Sequence, residues 1–198
     1  MSLFEGRSQE GNFMDTLAEL LRRLQSYKGR KIIIVLSTGI DTFSSYTQDD
    51  LFKFAKETQA VIYTVNVGAH LAQALEQYLP SPDREIFGVT LPSRGTFEQG
   101  RVRLMYLAKR TGGLFFDMRM PGDLGEIMDK IMSSARSQYH LSYIPSNRAR
   151  DGQCRKIEVK LLDESGGQYK IQDLWDKKEK KKIEYTIRAP ECRVAPAS

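Results

Sequence analysis

The chain has 198 residues, of which 40% are hydrophobic and 28% charged, and its net charge is +5. This length allows one domain, or one domain with an appendage, and a hydrophobic core that needs no disulfide. No apolar run reaches the roughly 20 residues of a membrane helix, so membrane insertion is not expected. A positive excess this small does not by itself predict nucleic-acid binding, although the lysine-rich run at 177–182 keeps that class as a minor alternative to a solvated turn.

The first part of the sequence, up to residue 137, alternates between helix and strand patterns. Leucines at three- and four-residue spacing predict a helix over 13–27, and a β-branched run predicts a strand over 31–37 that is buried on both faces. A long loop is expected at 79–95. Further helices are expected at 47–58, 70–78, 97–111 and 123–136, and further strands at 60–67 and 114–117. This alternation predicts a mostly parallel sheet flanked by helices.

The pattern changes near residue 138, where short segments alternate between apolar and polar residues. Such segments predict antiparallel strands with one solvated face, and they lie at 139–144, 155–161, 169–175 and 183–188. We therefore divide the chain into an α/β domain at 1–137 and a β-rich C-terminal extension at 138–198. Its cysteines, Cys154 and Cys192, have no CxxC spacing and no histidine cluster, so they indicate free thiols or one disulfide rather than a zinc site.

Two regions resemble the von Willebrand factor type A family. Residues 30–44, Arg-Lys-Ile-Ile-Ile-Val-Leu-Ser-Thr-Gly-Ile-Asp-Thr-Phe-Ser, are similar to the family's hydrophobic strand that ends in Ser/Thr-Asp-Gly, and 11–15 resembles the opening of the preceding helix. Residues 136–144 and 151–157 are similar to a subgroup first described from acidobacteria, whose domain ends in Tyr-x-Leu-x-Tyr-x-Pro and a β extension. The resemblance implies a truncated Rossmann-like fold in which the family's first strand, first helix and a hairpin have no counterpart.

Members of this family commonly bind ligands through a metal-ion-dependent adhesion site. It needs oxygen ligands from an Asp-x-Ser-x-Ser loop, a Thr and the Asp of Ser-Asp-Gly, because a hard divalent cation prefers oxygen. This sequence has no Asp-x-Ser-x-Ser, and Thr38 stands where the family has that second Asp. We therefore expect a degenerate site with no cofactor, and Mg²⁺ only as a minor alternative. Its ligand-binding residues are expected to be Ser37, Thr38, Asp41, Ser44 and Asn12.

The role of Asp41 has two interpretations. It either caps a turn, as loop carboxylates commonly do, or faces the crevice at the strand ends and contacts a ligand. Ser37-Thr38-Gly39 lacks the glycines and lysine of a phosphate loop. His70 and His140 are not accompanied by a nucleophile elbow. No enzyme activity is therefore expected.

The resemblance implies a protein-binding or adhesion-type module. The main alternative is a cation-dependent adhesion domain completed by upstream sequence or by another chain. Without the family's first strand, a neighbouring strand would keep an unpaired edge, which predicts self-association. The resemblance also implies an extracytoplasmic location, although the polar residues 1–12 lack the apolar segment of a signal peptide.

Overall fold

The computed structural model describes the chain in separate segments. They are residues 12–78, 85–86, 89–137, 144–147, 149–151, 153–160, 162, 166–167, 175–176, 181–182 and 192–194. Packing divides the chain into two compact units, Met1–Arg148 and Ala149–Ser198. Within the described segments, none of the helices combines the length and the apolar character needed to span a bilayer.

The first unit alternates helices and strands along the chain. In order, its elements are α1 (Phe13–Leu24), β1 (Lys31–Ser37), α2 (Gln48–Thr58), β2 (Ala60–Asn66), α3 (Gly68–Tyr78), β3 (Glu85–Ile86), β4 (Val89–Thr90), α4 (Arg94–Thr111), β5 (Phe115–Asp117) and α5 (Asp123–Arg136). Three of the strands form a parallel sheet in the order β1-β2-β5, with Lys31 opposite Ala60 and Thr64 opposite Phe115. The predicted parallel sheet flanked by helices is thus confirmed, and β3 pairs with β4 as a separate antiparallel hairpin.

Helices cover both faces of this sheet. On one face α1, α2 and α4 pack together over the sheet, and on the other face α5 packs against β2. Because side chains alternate along a strand, β1 sends Ile33 to the first cluster and Ile32 and Ile34 to the second. The first cluster includes Leu17, Leu21, Leu51, Ile62 and Leu107, and the second includes Tyr63, Val65, Ile127 and Ile131.

Some element boundaries differ from the sequence prediction. Helix α1 ends at Leu24 rather than at residue 27, and α4 begins at Arg94, within the segment expected to be a loop. The early start of α4 follows from Ser93, whose hydroxyl accepts a hydrogen bond from the Thr96 amide at 3.2 Å. The hairpin strands β3 and β4 are two residues long each, so they are too short to show an alternating pattern.

The described residues of the second unit form two short antiparallel strand pairs. Strand β6 (Cys154–Lys156) pairs with β9 (Cys192–Val194), and β7 (Trp175–Asp176) pairs with β8 (Lys181–Lys182). The strand expected over 155–161 ends at Lys156, opposite the first residue of β9, and residues 157–160 do not belong to a strand. The expected strands at 139–144 and 169–175, except for Ile144 and Trp175, and the whole of the strand expected at 183–188 lie outside the described residues.

Candidate functional site

The loop that follows β1 contains most of the residues expected to bind a ligand. The three parallel strands end together at Ser37, Asn66 and Asp117. We call this the carboxyl end of the sheet, where open α/β folds bind ligands. The segment 38–47, here called the β1 loop, leads from β1 to α2 and carries Thr38, Asp41 and Ser44.

Two hydroxyl groups shape the start of the β1 loop. The Ser37 hydroxyl accepts a hydrogen bond from the Gly39 amide at 3.0 Å, and the Thr38 hydroxyl accepts one from the Ile40 amide at 3.3 Å. These contacts are local turns in which a side chain replaces a backbone acceptor. Both hydroxyls therefore stabilise the bend by which the chain leaves the sheet.

Asp41 joins the β1 loop to the start of α1. Its carboxylate accepts hydrogen bonds from the Met14 amide at 2.7 Å, the Ser44 amide at 3.1 Å and the Ser44 hydroxyl at 2.5 Å. The Ser44 hydroxyl in turn accepts a hydrogen bond from the Asp15 amide at 3.1 Å. The first amides of a helix lack intrahelical partners, and a negative charge there is favourable. Asp41 therefore caps both a turn and a helix that precedes it in the chain.

Asn12 does not take this capping role. It is the residue before α1, but its side chain makes no capping hydrogen bond, and it is exposed. The structure thus brings Asp41 and Ser44 to the amides beside Asn12, while Ser37 and Thr38 serve turns of their own.

The end of the β1 loop is also held by contacts, which it makes with α1 and α2. The Asp15 carboxylate accepts a hydrogen bond from the Tyr46 amide at 3.0 Å, and the Tyr46 ring packs edge-on against Phe54 with centroids 5.4 Å apart. Thr47 and Asp50 then form a reciprocal capping box that starts α2. The hydroxyl and amide of Thr47 donate to the Asp50 carboxylate, which lowers the pKa of Asp50.

A close approach between two backbones holds the β1 loop against α4. Gly39 has a φ of +68°, which glycine adopts without strain, and a Cβ there would lie 2.8 Å from the Gly100 carbonyl carbon. A Cβ on Gly100 would lie 2.9 Å from the Gly39 carbonyl carbon. Arg103 of α4 also donates a hydrogen bond to the Gly39 carbonyl. Neither glycine can therefore acquire a side chain unless the helix and the loop separate.

The braced loop presents one large aromatic side chain to solvent. Phe43 lies between Asp41 and Ser44, and 64% of its surface is exposed. Its neighbours in the sequence are tied to α1, so the position of its backbone is fixed by the fold. The β1 loop therefore combines a backbone held by hydrogen bonds with an exposed apolar group.

The ends of β2 and β5 carry a polar cluster that the sequence analysis did not identify. The side chain of Asn66, only 1% exposed, donates a hydrogen bond to Asp117 at 2.8 Å and accepts one from the Gly68 amide at 2.8 Å. Arg101 of α4 contacts Asp117 at 2.9 Å, and this hydrogen bond raises the pKa of the Arg101 guanidinium. The sequence does contain a signal for this cluster, since Asn66 and Asp117 are polar residues that end two apolar strands.

The described acidic residues and histidines do not form a metal-binding cluster. Within those segments, no group of three or more His, Cys, Asp or Glu side chains is placed to hold an ion. Asp41, the carboxylate of the expected site, already uses both oxygens in hydrogen bonds to Met14 and Ser44. Three of the roughly four acceptor positions of this carboxylate are therefore occupied by hydrogen bonds that hold α1 and the turn.

Comparisons with known proteins show limited similarity. No family model and no curated protein match the sequence. A crystal structure of an uncharacterized membrane-spanning protein from Vibrio fischeri is similar to this chain, with 22% sequence identity and a TM-score of 0.37. The similarity covers 68% of this chain and 60% of that protein's chain. These comparisons do not assign a function to the chain.

Proposed function

We propose that this chain is a non-catalytic protein-recognition module that contacts a partner protein through Phe43 and the β1 loop. The observation that carries the proposal is the 64% exposure of Phe43 on a loop that is tied to α1 by Asp41 and Ser44 and to α4 by Gly39. The resemblance of residues 30–44 to a von Willebrand factor type A strand and loop supports the same proposal.

A rigid aromatic anchor is well suited to protein recognition. Aromatic side chains supply much of the binding energy in protein interfaces, where they enter pockets of the partner. A loop whose backbone is already held by hydrogen bonds also loses less conformational freedom on binding than an unrestrained loop. The contacts of Asp41 and Gly39 thus have a function in binding as well as in folding.

Site-specific photocrosslinking tests the proposal. A photoreactive phenylalanine analogue is placed at Phe43 or, as a matched control, at Tyr27, which is 65% exposed outside the β1 loop. In extract from the cells that produce the protein, we expect a discrete adduct from position 43 and none of that mass from position 27. Excess unlabelled wild-type protein should suppress the adduct, whereas excess Phe43→Ser protein should not.

The same experiment can refute the proposal. Equal labelling from positions 43 and 27, or an adduct that Phe43→Ser suppresses as well as wild type does, would show that the β1 loop is not the recognition surface. Phe43→Ser should keep the melting temperature of the wild type because the ring is largely exposed. A rise in melting temperature with millimolar Mg²⁺ or Mn²⁺ would instead favour the cation-dependent alternative.

A further inference from the structure

One edge of β1 is open in the described part of the chain. Strand β1 pairs with β2 along its whole length, and in those segments no strand pairs with its other side, here called the outer edge. The Ser37 carbonyl accepts a hydrogen bond from the Val67 amide at 3.1 Å, so Ser37 directs its backbone groups toward β2. Because these directions alternate along a strand, Ile32, Ile34 and Leu36 direct their N–H and C=O groups to the outer edge.

Apart from Lys31 at its start, the outer edge shows few of the features that protect an exposed strand, as far as the described residues go. Proteins block such edges with proline, bulges, inward-pointing charges or very short strands. Strand β1 has seven residues, Lys-Ile-Ile-Ile-Val-Leu-Ser, and keeps an unbroken register with β2. Leu36 is 49% exposed, although β1 is a strand of the main sheet.

The helix beside this edge also presents an apolar flank. On α1, Arg22 and Gln25 reach the α2 side, where they contact Tyr46 and Glu57. At 100° per residue, Leu20 lies on the opposite flank of α1, away from α2, and is 41% exposed. Leu20 and Leu36 therefore flank the open edge on opposite faces of the sheet.

We propose that the outer edge of β1 binds the same edge of a second copy of this chain, in antiparallel orientation about a two-fold axis at Ile34. In this register Ile34 of one copy lies opposite Ile34 of the other, and Ile32 lies opposite Leu36. Every outward N–H and C=O of Ile32, Ile34 and Leu36 then has a partner. The result is one continuous sheet in the order β5-β2-β1-β1-β2-β5.

Charge complementarity favours a second copy in this orientation. Helix α1 runs opposite to β1, so the amino end of β1 is basic and its carboxyl end is acidic. The basic end includes Lys28, Arg30 and Lys31, and the acidic end includes Asp15 and Asp41, although Arg103 also contacts the β1 loop there. A two-fold axis places the basic end of each copy beside the acidic end of the other, whereas parallel pairing would juxtapose like charges.

The axis also brings the exposed apolar residues together. A two-fold axis perpendicular to the sheet keeps each face of the sheet continuous, so both α1 helices lie on one face and Leu20 of each approaches the other. Leu36 of each copy packs on the opposite face, beside Ile32 of its neighbour. Leu20 and Leu36, 41% and 49% exposed, thus become hydrophobic contacts of the interface.

Light scattering and sedimentation, under reducing conditions and over a range of concentrations, test this proposal. The wild-type chain should give twice its monomer mass of 22.6 kDa. Leu36→Lys should raise the dimer dissociation constant at least about tenfold, because it places a charge in the apolar contact between Leu36 of one copy and Ile32 of the other. Val102→Lys on α4 is the matched control, because Val102 is 47% exposed and α4 packs on β2 and β5, away from the outer edge of β1; it should leave the dimer unchanged.

Hydrogen exchange adds a readout at the backbone itself. The amides of Ile34 and Leu36 should exchange slowly in the dimer and faster in Leu36→Lys, while the melting temperature of that variant at low concentration equals the monomeric wild-type value. A monomer at every concentration would overturn the proposal, as would a dimer that both lysine variants leave intact. Slow exchange of these amides in a monomer would show that another segment of the same chain covers the edge. None of these results depends on Phe43 or its partner.

Discussion

The close contact between Gly39 and Gly100 predicts that a single added methyl group destabilises the fold. In Gly100→Ala the new carbon would lie 2.9 Å from the Gly39 carbonyl carbon and closer still to the Thr38 carbonyl oxygen. Both neighbours are backbone atoms, so no side-chain rotation can relieve the overlap. Helix α4 or the β1 loop has to move, and the Arg103 contact with the Gly39 carbonyl moves with it.

The expected magnitude follows from two opposing effects. Replacing a helical glycine by alanine normally stabilises a helix by about 1 kcal/mol. Overpacking costs about 1–3 kcal/mol, and a clash with fixed backbone belongs at the upper end. The net loss for Gly100→Ala is therefore about 2 kcal/mol, which lowers the melting temperature of a chain of this size by about 4–8 °C.

Thermal and urea unfolding followed by circular dichroism measure this loss. The control is Gly125→Ala in α5, where a Cβ would meet nothing within 4 Å, so this variant should match or exceed the wild type by up to about 1 kcal/mol. If Gly100→Ala is as stable as Gly125→Ala, the close packing of α4 on the β1 loop is wrong. The crosslink from position 43 should also weaken in Gly100→Ala, because the loop loses its support.

Three other substitutions test the remaining contacts by the same unfolding measurements. Asp41→Ala should cost about 1–2 kcal/mol by uncapping α1, and equal stability would show that the cap is dispensable. Asn66→Asp places a second carboxyl group beside Asp117 and should lower the free energy of unfolding by about 1–3 kcal/mol. The loss should be larger at pH 8 than at pH 5, because the buried carboxyl group is tolerated only in its protonated form. A loss independent of pH would contradict this reasoning. The pKa of Asp50 is lower in the folded protein than in the unfolded chain, where it is near 4. The capping contribution of Asp50 to stability is therefore present above the unfolded pKa and is lost as pH falls through the folded pKa. Asp50→Asn should match the stability of the wild type only at acidic pH.

The sequence predicted best those features that depend on neighbouring residues. The bounds of β1 agree with the β-branched run at 31–37, because a strand covered on both faces needs a continuous apolar segment. Thr47 was expected to begin a helix and does so through its contacts with Asp50, three residues away. Such signals act over one turn of chain, where a sequence pattern is sufficient.

Contacts between distant residues could not be predicted in the same way. Asp41 caps a turn, as one interpretation held, but its bond to Met14 joins residues 27 positions apart. The Asn66 contact with Asp117 spans 51 positions, and it forms only because β2 and β5 are neighbours in the sheet. Strand order decides which polar residues meet, and periodicity does not reveal strand order.

The cap of α1 has a consequence for how the protein forms during translation. Helix α1 leaves the ribosome before the residues that cap it, since Asp41 and Ser44 lie 27 and 29 positions after the amides they contact. Until these two residues emerge, the Met14 and Asp15 amides lack the acceptors that cap them in the fold, and a helix this short is marginal alone. The amino-terminal helix therefore becomes stable only after the strand and loop that follow it have been synthesised. In a longer nascent chain, stalled so that α1 has left the exit tunnel while Asp41 and Ser44 are still inside it, α1 should remain sensitive to protease.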